Sequence, residues 1–420
     1  MRPDSDADRP MRIAFVTTQY PPHDAGGIGS YVQSVSSAFA RAGHQVTVVC
    51  SAEGQERSST VEGPGVTVER FPIVGPSWLW RRWRRPEPER QRVLHALSSR
   101  WALRQLSGEF DIVEVPEWKA QGLLLSGPVV VHLHLPLPVR TAWAGDRPPV
   151  HRAVSHALER LGALRAARVT STSVITSTMP DGSSWPGRRT VQVVSPPIDL
   201  GEWDDRLDVR QTDPVALFVG RLETRKAPEQ LIEALARVRD EVPDARAVFV
   251  GRSMRHSDGR SYRTVLEELA LRSGVPCEFH DPVSDQASMQ RFYEQARVVA
   301  VPSGFEPLSL VVFEALACGR PVVLSDRVGA GEWLGDLDGA VVPYGDVEGL
   351  AAAIAPHLRA PEHAARVGDV GRRQARSVCA EDALVESRLA VYRAVRQERQ
   401  RAAGGGPAAP TPRGGRMPRR

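Results

Sequence analysis

Residues 12–18 read RIAFVTT, residues 24–29 read DAGGIG and residues 45–50 read QVTVVC. The two apolar runs have the length and continuous hydrophobicity of strands that are buried on both faces of a parallel sheet. The segment between them predicts a glycine-rich turn and then a helix that begins near Ser30 and ends at Gly43. A strand, a turn, a helix and a second strand in this order form the repeating unit of an α/β fold.

The same alternation continues along the chain and restarts in its second half. Further strands are predicted at 112–115, 129–134, 169–173 and 191–194, and then at 215–219, 245–250, 277–280, 298–301 and 322–324. Helices are predicted in the second half at 228–239, 262–272, 289–295 and 308–318. These elements predict two open, doubly wound parallel sheets of similar size, with a ligand cleft between them at the carboxyl ends of the strands.

Changes in composition predict where these units begin and end. The polar stretch 201–213 follows the sequence SPPID at 195–199 and is the candidate hinge. From residue 401 onward Gly, Pro and Arg dominate, which is typical of disorder. The predicted organisation is a disordered N-terminus at 1–10, an N-terminal domain at 11–200, a hinge at 201–213, a C-terminal domain at 214–380, a helix at 381–400 that packs back toward the first domain, and a disordered tail at 401–420.

Composition and charge exclude several classes of protein. The 420 residues are 41% hydrophobic and 25% charged, which suits two ordered domains. The sequence has no apolar window of about 18 residues, so it predicts no membrane-spanning helix. Residues 1–10 lack the apolar core of a secretion signal. The formal net charge is +4, but residues 401–420 carry five Arg and no acid, so the body is close to neutral and predicts no nucleic-acid-binding face. The four scattered cysteines predict neither a zinc site nor disulfides and indicate the cytoplasm.

The glycine-rich loop that follows the first strand is a candidate anion-binding site. Glycine lets backbone N–H groups approach a ligand closely, and the start of the next helix favours a negative charge. Gly27 and Gly29 are therefore candidate binding residues. The alternative, which the sequence leaves open, is that these glycines serve only the geometry of a tight turn.

A second loop, residues 220–227, reads GRLETRKA and leads into Pro228, a residue that is favoured at the first position of a helix. Arg221 and Lys226 at the start of that helix would form a cradle for a diphosphate. The alternative is a solvated basic loop, which an arginine-rich chain has in quantity. Because Lys226 is one of only two lysines beside 52 arginines, its presence favours a function.

A third loop lies after the strand predicted at 298–301, where residues 303–321 read SGFEPLSLVVFEALACGRP. Glu306 falls in the loop and Glu314 within the helix that follows. A carboxylate in the loop can accept hydrogen bonds from sugar hydroxyls, and one on the helix can accept them from a ribose diol. Two glutamates at this spacing also arise by chance, so it is their position beside the predicted cleft that favours a function.

These motifs resemble those of glycosyltransferase family 4. The matching features are GRL at 220–222 with Lys226, the two glutamates of residues 306–314, the glycine-rich loop and YPP at 20–22, and the resemblance spans roughly residues 11–400. Enzymes of this family have the GT-B fold, retain the configuration of the sugar and need no metal. The resemblance therefore implies two Rossmann-like domains that face each other across a cleft, a nucleoside-diphosphate sugar as co-substrate, an unidentified acceptor, and neither a cofactor nor a metal.

The resemblance also implies roles on the donor side. Arg221 and Lys226 would hold the donor diphosphate and stabilise it as the leaving group. Glu306 would contact the transferred sugar, and Glu314 would bind the ribose hydroxyls. Charge that develops on the diphosphate as the anomeric C–O bond breaks would thus be stabilised by fixed cations, and the loss of one such donor costs on the order of 3 kcal/mol.

On the acceptor side, the sequence VVVHLHLP at 129–136 matches the family's cleft histidine. His134 would lie near the reacting sugar and belongs with Glu306, Arg221 and Lys226 to the implied catalytic set. From the residues alone, an imidazole that only caps the end of the strand is an equal alternative. His132 would lie on the same face of the strand, two residues earlier. Gly27 and Gly29 would line the phosphate and acceptor side.

The chain departs from the family pattern at three places. Ala227 stands where the family prefers Gly, and residues 196–199 read PPID where Asn-Gly-Val-Asp is common. Leu308 and Ser309, whose backbone N–H groups would help to bind the sugar, stand where Phe-Gly is frequent. These departures leave the class intact and the identity of the sugar open.

One further segment, WLWRRWRR at residues 78–85, interleaves Trp and Arg. Such a pattern suits a membrane surface or a polyanion, but a surface helix with packed Trp and solvated Arg is the favoured interpretation. The predicted function is a cytoplasmic retaining glycosyltransferase that moves a hexose-type sugar, with peripheral contact to the inner face of the membrane through Trp78–Arg85 as a variant. The alternatives are a sugar-nucleotide epimerase, a disaccharide synthase, or a non-catalytic protein that binds membranes or polyanions.

Overall fold

The computed structural model describes residues 9–22, 27–52, 56–75, 88–143, 150–187, 190–201, 203, 207–283, 285–335, 337 and 339–403. Within these ranges the chain forms two sheets, each with helices on both of its faces. The predicted doubly wound α/β architecture is confirmed. The segment Trp78–Arg85 lies outside the described residues.

The first sheet contains the strands β1 Arg12–Val16, β2 Gln45–Ser51, β3 Ser58–Glu62, β4 Val66–Phe71, β5 Ile112–Pro116, β6 Val129–Leu133, β7 Arg168–Ser171 and β8 Val191–Val193. Their spatial order is β3-β4-β2-β1-β5-β6-β7-β8, and every neighbouring pair is parallel except β3 with β4. The β3–β4 hairpin was not predicted, because β3 is a mostly exposed edge strand and lacks an apolar run. The loops after β1, β5 and β6 therefore lie side by side at one edge of the sheet.

The second sheet contains β9 Val215–Val219, β10 Arg246–Val250, β11 Cys277–His280, β12 Val298–Val301, β13 Val322–Ser325 and β14 Val341–Val342. Its order is β11-β10-β9-β12-β13-β14, and all of its neighbouring pairs are parallel. With six strands against eight, the sheets are less similar in size than predicted. Because β9 and β12 are neighbours, the loops that follow them meet at the same edge, which brings residues 220–227 and 303–309 together.

The helices are α1 Gly27–Arg41, α2 Pro88–Gln105, α3 Leu137–Trp143, α4 Val150–Arg165, α5 Glu229–Val238, α6 Tyr262–Ser273, α7 Gln286–Gln295, α8 Leu310–Ala317, α9 Val347–Arg359, α10 Pro361–Val378 and α11 Glu381–Ala403. The alternation of side chains along β1 shows how they sandwich the first sheet. Ile13 and Phe15 belong to the core cluster shared with α1, whereas Ala14 and Val16 belong to the cluster shared with α2 and α4. Within the described ranges, none of the helices combines the length and the apolarity needed to cross a bilayer.

Helix α11 leaves the second sheet and packs on the first. Its Tyr392 hydroxyl donates to Glu114 Oε2 at 2.6 Å, and Arg388 Nη1 donates to the carbonyl of Ser195 at 2.8 Å. Leu389 lies in the same core cluster as α1 and β1. The helix continues to Ala403, so the first three residues of the tail predicted at 401–420 are helical and the remainder lies outside the described residues.

The stretch predicted as a hinge is partly anchored. Trp203 is 8% exposed and meets the ring of Tyr293 edge-on, with 5.6 Å between the ring centroids. The carboxylate of Asp208 accepts from the N–H of Arg210 at 2.9 Å at the start of a short 3-10 turn. The stretch is polar overall in composition. Its one tryptophan nevertheless has enough apolar surface to anchor this part of the stretch in the hydrophobic core of the second sheet.

Candidate active site

The loop after β9 begins with a close approach between two backbones. Gly220 has φ +149° and Gly251, after β10, has φ +154°. A Cβ atom on Gly251 would lie 1.9 Å from the carbonyl oxygen of Gly220, so only glycine fits there. The backbone of Gly220 is thereby fixed directly before Arg221, where the predicted donor site begins.

Lys226 and Glu306 meet where the two loops touch. Lys226 Nζ lies 2.6 Å from Glu306 Oε1, and the two side chains are only 12% and 14% exposed. Ser303 Oγ donates to the other carboxylate oxygen, Oε2, at 3.1 Å. The structure thus brings together the predicted leaving-group cation and the predicted sugar-binding carboxylate.

Arg221 is less firmly held than Lys226. Its side chain is 53% exposed, and Nη2 lies 3.2 Å from Glu223 Oε1. The same oxygen also pairs with Arg225 at 2.8 Å, and Arg225 Nη1 donates to the carbonyl of Phe305 at 2.8 Å. Arg225 therefore links the loop after β9 to the loop after β12. Sequence reasoning missed this role, because nothing in the run TRK distinguishes an anchoring arginine from a solvated one.

The start of α8 presents backbone donors beside Glu306. Among the residues that the structure describes, the N–H groups of Leu308 and Ser309 donate to no protein acceptor. Ser309 precedes the first residue of α8 and has φ +93° and ψ +100°, a conformation that favours glycine. Free N–H groups and the helix dipole at this end suit a ligand with negative charge or hydroxyl oxygens.

Glu314 lies one turn into α8. Its Oε2 accepts from the hydroxyl of Tyr293 at 2.7 Å, and burial raises the pKa of Glu314. Tyr293 is fully buried and belongs to α7, so it fixes the carboxylate from the neighbouring helix. Sequence reasoning missed Tyr293, since no motif marks it. Within the described residues, no contact joins Glu314 to Glu306 or Lys226.

His134 lies directly after β6 in the first sheet. The centroid of its ring is 4.5 Å from that of Tyr31, edge-on, and 4.9 Å from that of His132, so the two histidines share one face as predicted. Its backbone N–H donates to Glu117 Oε2 at 2.9 Å. Burial, aided by the charge of Arg388, lowers the pKa of His134 to about 3, which keeps the imidazole neutral.

The predicted glycines occupy different environments in the first turn of α1. Gly27 is its exposed first residue, and a Cβ atom there would meet nothing within 4 Å. Gly29 is buried in the same helix. Space therefore does not require glycine at position 27, and residues 23–26 of the loop lie outside the described part of the chain.

Phe305, in the loop after β12, packs into the hydrophobic core of the first sheet. Phe305 is 2% exposed and belongs to the core cluster that includes Leu133 of β6, with Leu135 packed against it. These two leucines flank His134 in the sequence. Phe305 is the neighbour of Glu306, so the predicted donor and acceptor residues lie on the two sides of one interface.

A cavity of about 480 Å³ lies elsewhere, between α1, residues 197–201 and the helices α10 and α11. None of the predicted site residues lines this cavity. Among the described residues, no group of three or more His, Cys, Asp or Glu side chains could hold a metal ion.

Two family models match the chain in adjacent portions. The model described as Glycosyl transferase 4-like domain matches residues 26–176, and that described as Glycosyl transferases group 1 matches residues 201–374. D-inositol 3-phosphate glycosyltransferase of Geodermatophilus obscurus is 30% identical over 423 residues, which cover 93% of this chain and 90% of that protein. Glycogen synthase of Mycobacterium tuberculosis is 26% identical over 384 residues, which cover 87% and 90%.

Solved structures share the fold at lower identity. Sucrose-phosphate synthase of Thermosynechococcus elongatus superposes with a TM-score of 0.68 at 22% identity and covers 92% of this chain and 99% of its own. HepE of Anabaena, solved with UDP and glucose, gives a TM-score of 0.61 at 18% identity and covers 94% and 100%. The predicted GT-B fold is confirmed. By its sequence and its fold, the chain belongs to the group 1, family 4-like glycosyltransferases.

Proposed function

We propose that this glycosyltransferase moves a hexose-type sugar from a nucleoside diphosphate to an acceptor hydroxyl, with retention of configuration and without a metal ion. The observation that carries the proposal is the contact of Lys226 with Glu306 at 2.6 Å, beside the N–H groups that open α8. A cation, a carboxylate and a helix N-terminus together match a sugar joined to a diphosphate.

In the proposed reaction, an acceptor oxygen attacks the anomeric carbon as the bond from that carbon to the phosphate oxygen breaks. The electron pair of this bond leaves with the diphosphate, and the acceptor proton passes to a departing phosphate oxygen. Lys226 and Arg221 stabilise the charge of the leaving group, so the chain itself supplies the cations. Glu306 binds hydroxyl groups of the sugar, and the backbone N–H groups of Leu308 and Ser309 orient it.

Glu314 and His134 complete the proposed site. Glu314 accepts from the ribose hydroxyls, with its carboxylate held in place by the hydroxyl of Tyr293. His134 is neutral, because burial lowers its pKa to about 3, so it offers a hydrogen bond to the sugar rather than a charge. Gly27 and Gly29 remain candidates for the acceptor side.

Three finer points belong to the proposal. The four free cysteines support a cytoplasmic location. Contact of Trp78–Arg85 with the inner face of the membrane stays a prediction that is not favoured. No nucleic acid is expected as a partner. The acceptor is unidentified, and D-inositol 3-phosphate is the first to test because the relative from Geodermatophilus obscurus is named for it.

The test is the thermal stabilisation of the full chain by UDP, GDP, ADP and dTDP, each with excess EDTA. A nucleotide at about 100 times its dissociation constant should add about 2.7 kcal/mol of stability. Lys226→Met should abolish the shift. The matched control is Arg237→Met, which removes a half-exposed cation from α5 in the same half of the chain.

Transfer to an acceptor then tests the reaction itself. Lys226→Met should slow transfer by about 100-fold, whereas the control should not. The anomeric configuration of the product, read by NMR, tests retention, and an unchanged rate in EDTA tests metal independence. Equal nucleotide binding by the wild type and Lys226→Met would contradict the assignment of Lys226.

A further inference from the structure

A short segment of the first half of the chain, residues 172–175, contacts the second half on two sides. It follows β7 at the carboxyl end of the first sheet. Ser173 donates its hydroxyl proton to the carbonyl of Pro307, in the loop after β12. Since that hydroxyl has one proton, Thr176, whose Oγ1 lies 2.8 Å away, donates to it in turn. We call residues 172–175 the clamp segment.

The other side of the clamp segment meets a 3-10 turn, Gly329–Trp333. The Glu332 carboxylate accepts from the N–H groups of Val174 at 2.7 Å and Ile175 at 3.1 Å. Trp333 Nε1 donates to the carbonyl of Thr172 at 2.7 Å. Three hydrogen bonds therefore fix the clamp segment to this turn, and two of them end on one carboxylate.

The same turn also supports the loop after β12. The N–H of Gly329 donates to the carbonyl of Glu306 at 2.8 Å, and the N–H of Ala330 donates to that of Leu308 at 3.1 Å. Together with Ser173, these donors engage the three successive carbonyl groups of residues 306, 307 and 308. A Cβ atom on Gly329 would lie 2.0 Å from the carbonyl oxygen of Pro307 and 2.5 Å from Ser173 Oγ, so the three segments are packed as closely as backbone allows.

We propose that Ser173 and Glu332 are positioning residues for the donor sugar, and that they act by holding the loop at residues 306–309 from across the domain interface. The hydrogen bonds to the carbonyl groups of residues 306–308 hold the loop in a conformation in which the N–H groups of Leu308 and Ser309 meet no protein acceptor within the described residues and can donate to the ligand. The φ of +93° at Ser309 is a conformation that costs energy and persists only where surrounding contacts impose it. Ser173 contributes one of these contacts directly, and Glu332 acts through the clamp segment. The role rests on the proposed function, since it concerns the same sugar-binding loop.

The variant that isolates the contact is Ser173→Ala, and the chain offers a matched control. Ser177 lies in the same turn, is buried, and donates to the carbonyl of Val174 at 2.9 Å, but its hydrogen bond stays within the first half. Ser177→Ala therefore removes the same group from the same stretch of chain, and the hydrogen bond that it loses ends on Val174 of the clamp segment and not on the loop at residues 306–309. Glu332→Gln, which keeps one acceptor oxygen and loses the other, tests the second side of the clamp segment.

The first readout combines two quantities. One is the dissociation constant of the nucleoside diphosphate that stabilises the wild type, and the other is the KM of the sugar donor that carries this nucleoside diphosphate. Ser173→Ala should raise the donor KM by about 3- to 10-fold, which corresponds to one hydrogen bond, and leave the acceptor KM unchanged. Ser177→Ala should leave both unchanged even if its melting temperature falls. An equal effect of the two variants on the donor KM would overturn the proposal, because it would show a loss of stability alone.

The second readout does not depend on the proposed function. Hydrogen exchange at Gly329 and Ala330, whose N–H groups donate to the carbonyls of residues 306 and 308, should be at least about 10-fold faster in Ser173→Ala and Glu332→Gln than in Ser177→Ala. If no nucleotide binds the wild type but exchange responds in this way, the positioning of the loop stands and the proposed function fails. If nucleotides bind and exchange does not respond, the positioning fails and the proposed function stands.

Discussion

Ser309→Gly should stabilise the protein, although it removes a buried side chain. Ser309 is 5% exposed, has φ +93° and ψ +100°, and stands directly before α8. A non-glycine residue in such a region costs about 1–3 kcal/mol. Within the described part of the chain its hydroxyl has no hydrogen-bond partner, which costs about a further 1–3 kcal/mol. Glycine would remove both costs.

The gain is reduced by the freedom of glycine in the unfolded chain, about 0.5–1 kcal/mol. The loss of the buried methylene of Ser309 costs about a further 0.8 kcal/mol. From the midpoints of these terms, the net expectation is roughly 2.5 kcal/mol of added stability, or about 5–10 °C in the melting temperature of a unit of 150–250 residues. Two comparisons calibrate this number. Ala227 is also left-handed, with φ +46°, but Ala227→Gly loses a fully buried methyl group, so its expected change is within about 0.5 kcal/mol of zero.

The second comparison is Ser261→Gly. Ser261 also precedes a helix, α6, but it is exposed and has an ordinary φ of −64°. That substitution removes the contact of the Ser261 hydroxyl with Ser253 Oγ at 2.8 Å and should lower stability by roughly 0.5–1 kcal/mol. The assay is differential scanning calorimetry of the three variants at one scan rate, because the two sheets need not unfold together. If Ser309→Gly lowered the melting temperature as Ser261→Gly does, the reasoning from φ and the unpaired hydroxyl would be refuted.

Two further predictions concern buried ionisable groups that pack at the first sheet. The carboxyl group of Glu117 accepts from the N–H groups of His134 and Leu135. Burial raises the pKa of Glu117 to about 7. The stability that its protonated form contributes is therefore fully present below about pH 4.5 and is lost as the pH rises through 7. Urea unfolding should show the stability of the wild type falling by about 2 kcal/mol relative to Glu117→Gln between pH 5 and 7, and parallel profiles would contradict this. Arg388 is 1% exposed and near Glu114, so Arg388→Met should cost about 3–5 kcal/mol in urea unfolding, and Arg388→Met with Glu114→Gln should recover much of it; additive losses would refute the pairing.

The architecture was predictable from the sequence because strands that are buried in a parallel sheet have continuous apolar sequences. The runs at 215–219, 277–280 and 298–301 begin and end as predicted. The sequence analysis missed the strands β3, β4 and β14 and the helices α3, α4, α9 and α10. For β3 and α3 the reason is that a polar edge strand and a seven-residue helix carry little periodic signal. Within the predicted hinge, Trp203 packs on Tyr293, a contact that the polar composition of the stretch does not indicate.

Sequence motifs could indicate only those candidate site residues that belong to a motif. The sequence predicted Lys226 and Glu306 as separate site residues, whereas their pairing depends on the strand order, which places β9 beside β12. Arg225, Tyr293 and Ser173 were not predictable, because each acts through a partner that is distant in the chain or through the direction of a side chain. Only the fold brings Ser173 within hydrogen-bond distance of a residue that lies 134 positions later.

Two departures from the family pattern mark positions where the backbone has an unusual conformation. Ala227 and Ser309 stand where the family prefers or often has glycine, and in this chain both residues have positive φ. A position where relatives have glycine often requires a backbone that other residues adopt only at a cost. This chain keeps the backbone and bears the cost, so other contacts must impose the conformation. At Ser309 we propose that those contacts include residues 329–330 and the clamp segment, which makes the conformation of the loop at residues 306–309 dependent on both halves of the chain.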